Sequence, residues 1–223
     1  GAGSLTWWSL QRPDAYATAI GEQRTVRLED GSRIVLDTDS RVTVRFTNAS
    51  RVVTLAAGRA MFEVEGDAAR PFLVQAGDTE VTAVGTRFEV RRSGSGARVV
   101  LVEGRVDVHK PSSATAQWTL APGQQVTTSA PTPRVLAVNV PAATSWTDGR
   151  LTFENTPIAA AVAEVNRYSA NPIELRDQRV SSIRVSGVFN AGDIDGFVAA
   201  LRDLYHLEAV TAADGHLILS GPA

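Results

Sequence analysis

Reactive chemistry needs groups that converge, and this sequence offers few candidates. Its three histidines, His109, His206 and His216, have no metal-ligand spacing. His109 ends a strand pattern beside Lys110, His206 follows Tyr205 at the exit of a helical pattern, and His216 flanks a turn. A metal site needs several histidine, cysteine or carboxylate ligands in fixed geometry, so these read as surface or internally satisfied side chains. Asp37 and Asp39 fall on one side of an extended segment, as an acid pair does in a glycosidase. Their setting, Leu36-Asp37-Thr38-Asp39-Ser40, favours a turn in which Asp and Ser bond their own backbone. Ser93-Gly94-Ser95-Gly96 is glycine-rich but lies between two strand patterns, whereas a phosphate cradle needs a strand-to-helix turn. It reads as a hairpin loop. Asn48-Ala49-Ser50 matches a glycosylation sequon of the kind that arises by chance. No Gly-x-Ser-x-Gly elbow, zincin or Walker pattern occurs. Cysteine is absent, which excludes thiolate zinc, thiol nucleophiles and disulfide staples. The expectation is a protein with no catalytic residues, cofactor or metal, acting through contact.

The elements that would carry such contacts occupy 223 residues, enough for one large domain or two small ones. Hydrophobic residues make up 43% and charged residues 21%, a globular rather than disordered balance. A net charge of −2 lacks the basic surplus of a nucleic-acid binder. No run of about 18 apolar residues suggests a membrane helix. Gly1-Ala2-Gly3-Ser4 reads as an expression remnant, and the chain as a piece of something longer. Trp7-Trp8 reads equally as a membrane-interface pair or as an aromatic anchor on the following domain.

From residue 21 to 128 the pattern has period two. Thr25 to Leu28, Arg33 to Leu36, Val42 to Phe46 and Arg51 to Leu55 are short alternating runs separated by Asp30-Gly31-Ser32, Asp37 to Ser40 and Thr47 to Ser50. Further runs follow at 60–64, 72–74, 80–84, 87–91, 98–102 and 105–108. Short strands at this spacing predict an all-β two-sheet sandwich or a wrapped β-solenoid. A phrase recurs within it: Gly58 to Val64, Gly85 to Val90 and Gly104 to Val108 each place a glycine before an apolar–acidic–Val strand. These glycines predict bulges, bends or positive-φ corners where the chain changes sheet.

Residues 129–149, with Pro131, Pro133 and Pro141, read as a linker or crossover, within which Val135 to Val140 offers one edge strand to either neighbour. From 150 to 223 the grammar changes to strand and helix. After a strand at Leu151 to Phe153, Thr156 reads as a helix cap with Pro157 at the first helical position. Ile158, Ala161, Val162, Val165 and Tyr168 then trace one helix face, and Ile173 to Leu175 a short strand. A second cycle has a strand at Ile183 to Phe189, Asp193 as cap, and Ile194, Phe197, Val198, Leu201 and Leu204 on one face. The strand Leu207 to Val210 and a turn at Ala213-Asp214-Gly215 into Leu217 to Leu219 complete it. The cycles align at a constant offset of 36 residues, pairing Phe153 with Phe189, Ile158 with Ile194, Val162 with Val198, Val165 with Leu201 and Tyr168 with Leu204. The prediction is a duplicated strand–helix–strand unit sharing one core: a small α+β module.

Taken in order, several phrases resemble the periplasmic part of FecR-type transmembrane regulators, the anti-sigma factors of cell-surface signalling. They are Gly21-Glu22-Gln23-Arg24, Leu28-Glu29-Asp30-Gly31-Ser32, Leu36 to Ser40, Gly58 to Val64, Arg70 to Val74, Gly85-Thr86-Arg87-Phe88, Val102 to Val106 and Leu120 to Gln124. The second module, 150–223 with the residues that lead into it, resembles the STN-like domain of these regulators through Trp146, Gly149, Leu151, Phe153, Pro157-Ile158, Asn166-Arg167-Tyr168 and Ser186 to Phe189. The family's cytoplasmic sigma-binding segment and single membrane helix have no counterpart here. The resemblance therefore implies a soluble periplasmic part of a single-pass inner-membrane protein.

That resemblance implies a relay. An outer-membrane TonB-dependent transducer, loaded with an iron-siderophore or similar ligand, contacts the C-terminal part through its own signalling domain. The signal then frees an extracytoplasmic-function sigma factor, in some members with proteolysis by periplasmic and intramembrane proteases. Neither nucleic acid nor a small-molecule substrate is expected as a partner. Short strands leave edges whose unpaired N–H and C=O groups accept a partner strand. The expected partner-binding residues are Leu151, Thr152, Phe153 and Glu154 on one strand, Arg184, Val185 and Ser186 on another, and Asn166 and Arg167 on the first helix. Residues 141–223 carry 6 basic and 10 acidic groups, a balance that steers toward a basic partner or is simply an ordinary surface. Two rivals stand beside this reading. An envelope glycan- or peptidoglycan-binding β module with a docking adaptor needs an exposed aromatic strip, although Phe62, Phe72 and Phe88 fall at core parity. A hydrolase needs a nucleophile–base pair that no cluster supplies.

Overall fold

The computed structural model describes residues 13–177, 180 and 182–221. They divide into two compact units, one of residues up to 19 together with 23–140, the other of 20–22 with 141 onward. Trp7-Trp8 lies outside the described residues.

The first unit is all strand. Its elements are β1 (Asp14–Ala17), β2 (Arg24–Arg27), β3 (Arg33–Leu36), β4 (Arg41–Phe46), β5 (Arg51–Ala57), β6 (Arg59–Glu63) and β7 (Phe72–Ala76). They continue as β8 (Thr79–Ala83), β9 (Arg87–Ser93), β10 (Gly96–Glu103), β11 (Val106–His109), β12 (Gln117–Leu120), β13 (Gln124–Thr127) and β14 (Leu136–Ala137). One seven-stranded sheet runs β1-β4-β5-β7-β8-β11-β12, the other β14-β13-β10-β9-β6-β3-β2. Successive hairpins therefore alternate between the sheets, and each sheet is laid down in chain order. This winding combines the two expected forms, a layered pair of sheets and a solenoid-like path. The recurring glycines sit at its corners. Gly58 (φ 81°) passes the chain from β5 to β6, Gly85 (φ 61°) from β8 to β9, and Gly104 (φ 87°) from β10 to β11, each time into the opposite sheet.

Period-two side chains follow directly: in β7 and β8 buried and half-buried positions alternate. The inward faces meet in one apolar cluster. Phe46 and Phe72 from one sheet and Phe62 and Phe88 from the other cross its middle, with Phe62 stacked on Phe88 at 5.3 Å and edge-on to Phe72 at 6.1 Å. Each fully buried Phe contributes about 1.5–3 kcal/mol. Two arginines are buried as ion pairs. Arg51 bonds Asp30 at 2.7 Å and the carbonyls of Glu65 and Arg70, and lies over the Phe72 ring. Arg59 bonds Asp37 at 2.7 Å, and Gln23 donates to the other oxygen of that carboxylate. The strand expected within Val135 to Val140 is the two-residue β14, paired with β13.

The second unit opens with α1 (Val140–Thr144) and a 3-10 turn (Ser145–Asp148) that buries Trp146 and ends at Gly149. It continues as β15 (Arg150–Pro157), α2 (Ile158–Asn166), β16 (Ile173–Leu175), β17 (Arg184–Asn190), α3 (Ile194–Tyr205), β18 (Glu208–Thr211) and β19 (Leu217–Ser220). The duplicated unit is thus present. Strands β15 and β17 form one antiparallel sheet, and β16-β19-β18 the other. The equivalent residues Phe153 and Phe189 meet at 5.9 Å, and both contact Phe197 of α3.

Two local expectations are corrected. Pro157, with φ −53° and ψ 135°, is itself the N-cap of α2, so the helix begins one residue later than the capping pattern indicated; the Thr156 hydroxyl instead bonds Glu154 of its own strand. Asp193 caps α3 as expected, accepting from the Gly196 N–H at 2.9 Å. Leu204 is 67% exposed, whereas its counterpart Tyr168 is buried. Helix α2 ends at Asn166, so Tyr168 folds back beyond it; α3 runs to Tyr205, and after left-handed His206 the buried side chain is Leu207.

Candidate functional site

The expected partner-binding strands are each other's neighbours. In the β15–β17 ladder Leu151 lies opposite Phe189, Thr152 opposite Val188 and Phe153 opposite Gly187; the register then slips, and Thr156 faces Val185 and Pro157 faces Arg184. The slip places Glu154 and Asn155 against Ser186, a bulge in which Asn155 takes φ 48° and donates its N–H to the Ser186 hydroxyl at 2.9 Å. Alternation sends Leu151, Phe153 and Val185 into the core, while Glu154, Arg184 and Ser186 are exposed and Thr152 is half-buried. Three of the seven strand residues are therefore core, and four present an outer surface.

Asn166 and Arg167 stand apart from this ladder. The Asn166 amide accepts from the Ile173 N–H at 2.7 Å and donates to the Ile173 carbonyl at 2.9 Å, pinning the start of β16 to the end of α2. Arg167 pairs with Glu164 at 3.2 Å and lies over the Tyr168 ring. Both side chains hold the module together.

A two-stranded sheet has two outer edges, and they differ. The Ser145 hydroxyl occupies the β15 edge, accepting the Thr152 N–H at 3.2 Å and sharing its proton between the Ala142 carbonyl at 3.0 Å and the Arg150 carbonyl at 3.1 Å. On β17 the Tyr205 hydroxyl donates to the Arg184 carbonyl at 2.7 Å. Sequence reasoning missed Ser145, Tyr205 and Val188. Val188 was legible, because it is an apolar residue at the polar parity of Arg184, Ser186 and Asn190; the other two act across turns that periodicity does not describe.

The remaining candidates for chemistry are accounted for. Asp37 is fully buried against Arg59, whereas Asp39, at φ 44°, is exposed, so the two form no acid pair. Ser93 to Gly96 closes the β9–β10 hairpin. His109 pairs with Glu80 at 3.1 Å and His216 with Asp214 at 3.2 Å, and among the described residues no group of three or more His, Cys, Asp or Glu is placed to hold a metal. Phe62, Phe72 and Phe88 are fully buried and form no exposed aromatic strip. Burial works against ionisation of Asp78, but Lys110 at 2.9 Å, helped by the Thr79 and Ser95 hydroxyls, holds its carboxyl below the ordinary range. Among the described residues no helix is long and apolar enough to cross a membrane.

The chain thus joins a two-sheet all-β unit to a small α+β module. Residues 14–107 match the family model described as FecR protein. No curated protein matches the sequence. Two crystal structures of a candidate anti-sigma factor from Parabacteroides distasonis ATCC 8503 share the fold. The structure at 1.65 Å resolution is 22% identical with a TM-score of 0.81, covering 94% of this chain and 100% of that one. The structure at 2.50 Å is 21% identical with a TM-score of 0.80, covering 95% and 100%.

Proposed function

We propose that this chain is the periplasmic, signal-receiving region of a FecR-type anti-sigma factor. In this reading the second unit is an STN-like domain that meets the signalling domain of an outer-membrane TonB-dependent transducer, whose loading, with an iron-siderophore in the usual case, is passed on to an extracytoplasmic-function sigma factor. The sigma factor is reached through a cytoplasmic segment beyond these residues, and envelope proteases act on the intact regulator. The chain works by contact and carries no catalytic step.

The observation that carries this reading is the match of residues 14–107 to the FecR family model, followed in one chain by a duplicated strand–helix–strand module. The outer face of β17 supplies Arg184 and Ser186 for contact, with Glu154 at the neighbouring bulge, and the net charge of −4 over residues 141–223 favours a basic partner face. The test is calorimetric titration with the purified signalling domain of the transducer encoded beside this chain's gene. Saturable one-to-one binding that weakens with added salt is expected. No binding to that domain, together with binding to peptidoglycan fragments, would replace this reading by the envelope-binding one.

A further inference from the structure

We propose that the outer edge of β17, from Ser186 to Val188, is where an extended strand of the partner adds to the β15–β17 sheet. This rests on the docking reading above and assigns it to one strand. The ladder fixes which backbone groups are available. The Ala191 N–H bonds the Gly149 carbonyl, and the Ile158 N–H bonds the Ile183 carbonyl. Counting inward by twos from these bonds, with the slip at the bulge, Val185, Gly187 and Phe189 turn their N–H and C=O groups toward β15. Arg184, Ser186, Val188 and Asn190 turn theirs outward. Tyr205 occupies the Arg184 carbonyl, and the Asp193 N–H bonds the Asn190 carbonyl, so both ends of the edge are closed. Between them Ser186 and Val188 present two N–H donors and two C=O acceptors, and no hydrogen bond among the described residues uses these backbone groups. That run matches what one docking strand needs.

The opposite edge is unsuited to the same role, because Ser145 already accepts the Thr152 N–H and its hydroxyl, shared with the Ala142 carbonyl, sits against the Arg150 carbonyl. Side chains agree with the backbone. Val188 is 60% exposed, flanked on its strand by the exposed Ser186 and Asn190. An incoming strand would place one apolar side chain beside Val188 on the outer face and cover it. A second copy of this chain is the less favoured occupant: pairing two β17 edges would bring together two modules that each carry a net charge of −4 over residues 141–223. A strand from a basic partner meets no such repulsion.

Proline separates the two edges because it removes a backbone donor. Val188→Pro removes an outward N–H and leaves every β15–β17 bond in place, as proline does on an edge strand. Thr152→Pro inflicts the same lesion on the edge that Ser145 occupies. With the neighbouring transducer's signalling domain as probe, Val188→Pro is expected to weaken binding at least tenfold and Thr152→Pro less than threefold. Amide hydrogen exchange on the unmodified chain gives a readout independent of folding of the variants: the Ser186 and Val188 amides should become protected in the complex. Saturable binding that Val188→Pro leaves unchanged, or a complex in which those two amides exchange as freely as before, would overturn the edge assignment while leaving the docking reading intact. Failure of the unmodified chain to bind overturns both. A dimer of the free chain that Val188→Pro dissolves would assign the edge to self-association instead.

Discussion

The pair formed by Arg59 and Asp37 gives a sharp test of how the first unit is held together. Asp37 is fully buried and Arg59 is 3% exposed; two guanidinium nitrogens lie 2.7 and 2.8 Å from one carboxylate oxygen. In Arg59→Met the stem volume remains, but the buried carboxylate loses both guanidinium contacts, which the neutral amide of Gln23 at 3.2 Å does not replace. Removing one member of such a pair costs about 3–5 kcal/mol, because the charge that stays behind is uncompensated. With a urea slope of about 2 kcal/mol/M, the midpoint should fall by roughly 2 M. The double variant Asp37→Leu/Arg59→Met removes both charges and should regain all but about 1–2 kcal/mol of the loss. The assay is equilibrium urea unfolding followed by far-ultraviolet circular dichroism, in which the strand signal follows the all-strand first unit and the helix signal follows α2 and α3 of the second. A midpoint shift below about 0.5 M for Arg59→Met, or a double variant as unstable as the two single changes added together, would refute the reasoning.

Three other outcomes are expected. Gly58→Ala should destabilise the first unit by about 3 kcal/mol in the same urea assay, because a Cβ at φ 81° would come within 2.6 Å of the Ser40 backbone. Asn166→Ala removes both bonds to Ile173 and should lower the stability of the second unit by about 1–3 kcal/mol, read from the helical circular dichroism of α2 and α3, while leaving the first unit's transition in place. Asp78 has its carboxyl held below the ordinary range, so its contribution is present above the unfolded pKa and is lost as the pH falls through the folded one. Lys110→Met should remove the largest part of that contribution, less than about 1 kcal/mol at neutral pH, and make the acid limb of the stability profile below about pH 4 shallower.

Much of this architecture was legible because burial writes itself as periodicity. Period two marked the strands of the first unit, and period 3.6 marked α2 and α3. The glycines at 58, 85 and 104 were legible as corners because only a residue without a Cβ takes those angles cheaply. What stayed hidden depends on distant partners. Arg51 and Arg59 look like surface residues until Asp30 and Asp37 are folded against them. Leu204 continues an apolar stripe, yet the core has ended by the time the helix reaches it. At the candidate site, the alternation of β17 announced an outer face, but the difference between the two sheet edges lay in Ser145 and Tyr205, whose hydroxyls reach across a turn and from another element.

The alternation of hairpins between the two sheets of the first unit has a kinetic consequence. Strands β5 and β7 run parallel and adjacent, with β6 lying in the other sheet between them in sequence. Neither sheet can therefore be completed ahead of the other; they must zip up jointly, turn by turn. Chains that rely on such non-local registry collapse to the native state in milliseconds to seconds rather than microseconds. A polypeptide cut anywhere between Gly58 and Gly123 would strand half-built layers on both sides at once, leaving a sticky fragment and no smaller working sandwich.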